Sequence, residues 1–168
     1  MMNIFNYFKR IGIDTVDAAF YRKIAEWISW YRGSVRGFSF YRVYTGRGKY
    51  NRCKRKSMGM AKKLSEDIAD LLLNERVTIT LSDETTHNFV QQVLEDNRFL
   101  VMGNDYQERK AFTGTVGYIP YLDDMEVTED GEILSGTIRI NYVDAPNIYP
   151  VSWNNSRVTE CIFKFPHT

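Results

Sequence analysis

TVGYIPYLDDMEVTEDGEILSGTIRINYV, residues 115–143, is the stretch on which the fold class turns. Before it, apolar residues recur at helical spacing; from Thr115 onward the period becomes two. Val116 to Leu122 reads as a strand, and Pro120 points to an edge or a bulge because proline donates no ladder hydrogen bond. Met125 to Thr128 and Ile133 to Val143 flank the turn Glu129-Asp-Gly131, the pattern of a hairpin. Beyond it, Asp144-Ala-Pro146 and Tyr149-Pro150 read as loop, Asn154-Asn-Ser156 as a turn, and Val158 to Phe165 as a last strand. Helices first and antiparallel strands after them predict an α+β fold.

Upstream, Asp83 heads a helix to about Asn97 with Phe89, Val90, Val93 and Leu94 inward, and a short helix over Asn104 to Ala111 ends near Gly114. Val77-Thr-Ile-Thr-Leu81 alternates as a strand. Ser57 stands before a helix from Met58 to about Asn74, with Met60, Leu64, Ile68, Leu71 and Leu72 on one face. Lys62 and Glu66 are spaced on it for mutual support. Asp14-Thr-Val-Asp17 begins another helix. Its stripe is Phe20, Ile24, Trp27, Ile28 and Tyr31, widened by Trp30, and Gly33 ends it. Gly37 to Thr45 alternates weakly and reads as a short strand. Gly46-Arg-Gly48 is a turn, and Lys49 to Lys56, almost without apolar residues, reads as a basic loop.

With 168 residues the chain is most simply one domain, and 43% apolar with 14% aromatic residues is the composition of a globular protein. No apolar run approaches the roughly 18 residues of a membrane span. Met1 to Arg10 lacks the core of a signal peptide, which predicts a reducing cytoplasm and free thiols at Cys53 and Cys161, with a disulfide left open. Asn154-Asn-Ser156 matches a glycosylation acceptor, but without a secretory signal the match has no weight.

The charge is divided along the chain. Residues 1–63 hold 15 of the 22 Lys and Arg against three acids, Asp14, Asp17 and Glu26; residues 64–168 hold the other 7 against 18 acids. The formal +1 is therefore +12 balanced against −11. Such a division suits an intramolecular clamp, head-to-tail association of like subunits, or a polyanion held by the basic part.

Catalytic signatures are missing: there is no GxSxG elbow, no GxxxxGK[ST] loop and no HExxH. Gly46-Arg-Gly48 is too short for a dinucleotide fingerprint. His87 and His167 have no partner at metal-ligand spacing, and His87 reads as a solvated surface residue. Asp123, Asp124, Glu126, Glu129, Asp130 and Glu132 form the densest carboxylate cluster. Alternation sends them to different faces, so a solvated tip or a docking surface for a basic partner fits better than a metal site. Lys49, Arg52, Lys54, Arg55 and Lys56, with Arg42, Arg47, Lys62 and Lys63 and the rings of Tyr41, Tyr44 and Tyr50, supply phosphate contacts and stacking surfaces. The same run also fits a mobile solvated loop; as a contact surface it would meet either the acids of a like subunit or nucleic acid. No cofactor and no enzymatic role is predicted.

Several segments together resemble a family. Met60-Ala-Lys-Lys-Leu-Ser-Glu-Asp-Ile-Ala-Asp-Leu-Leu-Leu-Asn-Glu-Arg-Val-Thr-Ile79 is similar to the helix-to-strand segment of portal proteins of long-tailed bacteriophages. Glu26-Trp-Ile-Ser-Trp-Tyr-Arg-Gly33, Asp96-Asn-Arg-Phe99, Gly114-Thr-Val-Gly-Tyr-Ile-Pro-Tyr121, Asp130-Gly131 and Asn147 to Glu160 fall in the family's order. The resemblance implies a structural component of the portal ring at the capsid vertex, through which DNA is packaged and ejected. Its expected partners are other portal subunits in a dodecamer-type ring, terminase, capsid and head-completion proteins, and double-stranded DNA, without a membrane. The expected location is the virion, with assembly in the host bacterial cytoplasm. Residues 1–168 would form a single wing-like α+β region. Portal subunits are much longer, so the chain is expected to be the N-terminal fragment of one, or a shortened prophage product. The alternative is a stand-alone nucleic-acid-binding module using the basic segment 42–63.

Overall fold

Asp17 and Asp83 cap helices at the positions their sequence context predicts. In the computed structural model, which describes residues 4–46, 48–74 and 76–165, an Asp17 carboxylate oxygen accepts from the Ala19 amide at 3.1 Å. Asp83 accepts from the Thr86 amide at 2.8 Å and from the Thr86 hydroxyl. Those bonds hold the exposed Asp83 carboxyl below its ordinary pKa. In chain order the first elements are α1 (Ile4–Arg10), α2 (Ala18–Tyr31), β1 (Phe40–Tyr44), β2 (Tyr50–Lys54) and α3 (Met60–Leu72). Then come α4 (Glu84–Asp96), α5 (Phe99–Thr113), β3 (Val116–Val127) and β4 (Ile133–Asp144). A 3₁₀ turn over Ala145–Asn147 leads to β5 (Ile148–Asn154) and β6 (Arg157–Phe163). Among the described residues the strands pair as three two-stranded sheets, β1–β2, β3–β4 and β5–β6, and the fold is α+β. Contacts gather in two compact units, one of Met1–Asp67 with Tyr149–Ile162, the other of Ile68–Ile148 with Phe163 onward.

The first unit is centred on aromatic packing. Tyr21 of α2 stacks on Tyr149 of β5 with centroids 5.1 Å apart, and Phe5 and Phe8 of α1 meet Tyr149 edge-on at 6.0 and 5.2 Å. Burial against these neighbours pushes the Tyr21 hydroxyl up to about 12, with the nearby Tyr149 and Cys161 adding to it. Ile24, 1% exposed, is the fully buried member of α2 and contributes about 1.5–3 kcal/mol by leaving water. The inward stripe is buried Ile24 with half-buried Tyr21, Ile28 and Tyr31, whereas Phe20, Trp27 and Trp30, which the spacing places on the core face, are exposed. α2 ends with Ser34 N–H donating to Ser29 O at 3.0 Å and Gly33 at φ +63°, the left-handed stop that glycine supplies freely.

In the second unit α4, α5 and the β3–β4 hairpin pack around Ala69, Leu73, Val143, Ala145 and Ile148. Tyr142 stacks on Tyr106 at 4.8 Å and meets Tyr118 edge-on at 5.4 Å. Asn97 joins α4 to the hairpin: its Nδ2 donates to Ile138 O at 2.8 Å and its Oδ1 accepts from Ile140 N at 2.9 Å. Arg109 Nη1 donates to both Asp144 oxygens at 3.0 and 2.9 Å while its guanidinium lies 4.8 Å from the Tyr106 ring centre. α5 is tight against Leu73, because a Cβ on Gly103 would lie 2.5 Å from Leu73 Cδ2.

Further sequence expectations change: Phe89, expected inward on α4, is exposed. Lys49 to Lys56 is not a loop; Tyr50–Lys54 pairs with Phe40–Tyr44, because the turn's closing bonds bring polar residues into a ladder that needs no buried face. Val77 to Leu81 alternates half-buried Val77 and Ile79 with exposed neighbours but joins no sheet. Side chains take its backbone groups: Gln91 donates to Ile79 O at 2.5 Å, and Leu81 N donates to His87 Nδ1 at 3.4 Å. Tyr149-Pro150 lies inside β5, where an outer strand tolerates proline. The helix expected over Asn104 to Ala111 begins at Phe99, after Arg98 turns the chain in the left-handed region at φ +48°.

Candidate functional site

The basic segment is an exposed two-stranded ribbon. Its turn closes with the Thr45 amide and hydroxyl donating to Lys49 O at 3.0 and 2.9 Å, between Gly46 and Gly48 at φ +74° and +73°. Register pairs Phe40 with Lys54, Tyr41 with Cys53, Arg42 with Arg52, Val43 with Asn51 and Tyr44 with Tyr50. Alternation puts Phe40, Arg42, Tyr44, Tyr50, Arg52 and Lys54 on one face. The Arg52 guanidinium lies 3.9 Å from the Phe40 ring centre and the Tyr44 and Tyr50 rings are 5.4 Å apart on that face. Tyr41 is on the other face, under Arg55, which also lies 5.4 Å from the Phe38 ring centre. The bonds from Thr45 N to Lys49 O and from Arg55 N to Ser39 O fix the hydrogen-bonded pairs. Arg42 and Arg52 therefore face each other at a non-hydrogen-bonded pair, where side chains come closest.

Among the described residues no carboxylate lies within ion-pair distance of Arg42, Lys49, Arg52, Lys54, Arg55 or Lys56. Lys62 and Lys63 instead pair along α3 with Glu66 at 3.5 Å and Asp67 at 2.9 Å. Arg47 lies outside the described residues, as does His167. The predicted cations thus divide. Arg42, Lys49 and Arg52 belong to the ribbon; Lys54, Arg55 and Lys56 run from its end into a concavity of about 580 Å³. That concavity is completed by Tyr31 and Arg32 at the end of α2, by Gly33, Ser57 and Gly59, and by Lys62. Arg32 is a residue the sequence reading missed. Its only signal was a cation beside the helix-ending Gly33.

The acidic cluster lies on the outer half of the β3–β4 hairpin. Asp123, Asp124, Glu126, Glu129, Asp130 and Glu132 are all exposed. Asp123 pairs with Thr137 and Glu126 with Ser135, so Asp124 and Met125 share one facing residue in a bulge, with Asp124 at φ +50°. The tip is closed by Thr128: its amide donates to Glu132 O at 2.9 Å and its hydroxyl accepts from the Glu132 amide at 3.0 Å. Ser135 donates to Glu126 Oε2 at 3.1 Å. The bulge and tip spread the acids, and among the described residues no three His, Cys, Asp or Glu side chains converge as a metal site. Exposed Met125, Val127, Ile133 and Leu134 are interspersed with the carboxylates, so the arm is both acidic and apolar.

Elsewhere, a concavity of about 320 Å³ between α4 and α5 is lined largely by Val77, Ile79, Leu94, Phe99, Leu100 and Val101 and brings no reactive groups together. His87 is exposed. Cys53 and Cys161 are free, and burial raises the Cys161 thiol, which disfavours its thiolate. No helix among the described residues is long and apolar enough to cross a membrane. Against known protein families, residues 13–165 match the family model described as phage portal protein, SPP1 Gp6-like. Neither curated proteins nor solved structures gave a match.

Proposed function

This chain belongs to the SPP1 Gp6-like phage portal proteins, and from that premise we propose that it is a wing-like, N-terminal part of a structural subunit in the portal ring. It acts in the virion at the capsid vertex after assembly in the host cytoplasm. Its role is to join subunits, not to transform a small molecule. Terminase, capsid and head-completion proteins would meet other parts of a longer subunit.

The observation that carries this reading is the pair of exposed ribbons of opposite charge. Arg42 and Arg52 share one face with the rings of Phe40, Tyr44 and Tyr50, with Lys49 on the opposite face; the acids from Asp123 to Glu132 are interspersed with Met125, Val127, Ile133 and Leu134. Each surface offers what the other needs, charge for charge and apolar area for apolar area. A patch that fits a different patch on the next copy is a head-to-tail contact, the type that closes rings. Electrostatic complementarity would set the register, and ring-to-aliphatic burial would supply affinity. Arm-to-arm pairing is disfavoured, because it would set the six exposed acids of one copy against those of the next.

Sedimentation velocity at rising concentration tests the contact. Arg42→Glu with Arg52→Glu is expected to reduce self-association by at least tenfold in concentration at low salt. Unchanged association of that variant would remove the ribbon from the interface.

A further inference from the structure

We infer that the concavity between the end of α2, the end of β2 and the start of α3 is a seat for the phosphodiester backbone of double-stranded DNA. The inference extends the portal reading to a second surface but does not depend on the ribbon-to-arm contact. Five cations, Arg32, Lys54, Arg55, Lys56 and Lys62, line this space of about 580 Å³. Among the described residues only Lys62 of the five has a carboxylate partner, Glu66, and that pair is long at 3.5 Å and exposed. Four unneutralised cations held around one hollow repel one another, and a polyanion removes that repulsion.

The lining also selects among polyanions. Its remaining members are Tyr31, Ser57 and two glycines, without one aliphatic side chain. The acidic arm of another copy carries exposed Met125, Val127, Ile133 and Leu134, and those side chains would meet only the Tyr31 ring and the stems of cations here, with no aliphatic side chain to pack on. A ligand that is charged throughout fits better. A single strand is held by successive stacking rings, and this hollow offers one ring. A duplex, whose bases stay stacked inside and whose phosphates face outward, needs only the cations. The contact reads no bases, so binding would be independent of sequence.

The test is fluorescence anisotropy of the full chain with a labelled 20-base-pair duplex across salt. Five phosphate contacts give a slope of log affinity against log salt of about −4.5, or roughly 500-fold weaker binding at 200 than at 50 mM NaCl. Arg32→Gln, Arg55→Gln and Lys56→Gln together should flatten the slope to about −1.8, roughly a 12-fold change. Lys54→Gln with Lys62→Gln should also flatten it, which guards against misfolding of the first variant; thermal melts verify both. Arg42→Gln with Arg52→Gln should leave the slope unaltered. A slope that follows the ribbon variant and ignores the groove variants would overturn the assignment. So would tighter binding of a single strand of equal length, or displacement of the duplex by polyglutamate at equal charge concentration. Sedimentation of the same samples without DNA separates the two readings: a chain that stays monomeric yet binds DNA through the groove keeps this inference and loses the subunit contact.

Discussion

Replacing Arg42 by Glu should make the basic ribbon more stable while making the protein worse at its task. Arg42 and Arg52 are direct cross-strand partners, and the bonds at Thr45 and Arg55 put them at the position of closest side-chain approach. Two exposed unit charges about 6 Å apart in water repel by about 0.7 kcal/mol. Turning one into a carboxylate reverses the sign, a swing of about 1.4 kcal/mol at low salt. At physiological salt the roughly 8 Å Debye length cuts this to about 0.7 kcal/mol. Because the ribbon is exposed on both faces, its opening is local, and hydrogen exchange reads it better than global melting. The amides of Thr45 and Arg55, bonded to Lys49 O and Ser39 O, are the reporters. Their protection should rise about tenfold at low salt and about threefold at physiological salt. Self-association should fall in the same protein. Unchanged or lower protection, or a gain insensitive to salt, would refute the reasoning that this pair is held together against its own repulsion.

Three further outcomes follow from packing and ionisation. Gly103→Ala gains about 1 kcal/mol of helix propensity but drives a methyl into Leu73, where overpacking costs about 1–3 kcal/mol; urea denaturation should show a net loss, turned into a gain once Leu73→Ala provides room. Tyr142→Phe should raise stability by about 1 kcal/mol in the same assay. Its hydroxyl is buried without a hydrogen-bond partner among the described residues, whereas its ring keeps the stack on Tyr106. Tyr21, raised from 10.0 to about 12, keeps its proton in the folded state after the unfolded chain has lost it. Its contribution is therefore complete below pH 10 and lost as pH rises toward 12, and Tyr21→Phe should flatten that part of a stability profile.

What was legible in the sequence was whatever local chemistry determines. The caps at Asp17 and Asp83, the stop at Gly33, the Lys62–Glu66 pair and the hairpin around Glu129-Asp-Gly131 each depend on residues a few positions apart. The elements that escaped depend on distant partners. α1 is a seven-residue helix too short to hold itself, and Phe5 and Phe8 are fixed by Tyr149, far along the chain. β2 hides because its ladder buries almost nothing, so no apolar alternation announces it. Val77 to Leu81 shows the converse, an alternation that is real in burial but has no neighbouring strand to pair with. Phe20 and Trp27 share helical spacing with the core stripe yet stay exposed, because periodicity identifies a face only to within one ring's width. The site divided the same way. Its cations were readable as a charge run, and the family was readable from the order of its segments, as the match over residues 13–165 shows. The grouping of Arg32 and Lys62 with Lys54, Arg55 and Lys56 was not, because it requires the ribbon to bring the end of one helix to the start of the next.

The central claim is that unlike surfaces of successive copies mate, and mixing two defective proteins tests it most directly. One carries Arg42→Glu and Arg52→Glu and keeps its arm; the other carries Asp123→Lys, Asp124→Lys and Glu126→Lys and keeps its ribbon. Head-to-tail contact predicts that each alone sediments as a monomer, and that their mixture forms a one-to-one complex that grows no further, since only one intact ribbon meets one intact arm. A mixture that stays monomeric beside a self-associating parent, or variants that still associate with themselves, would contradict it.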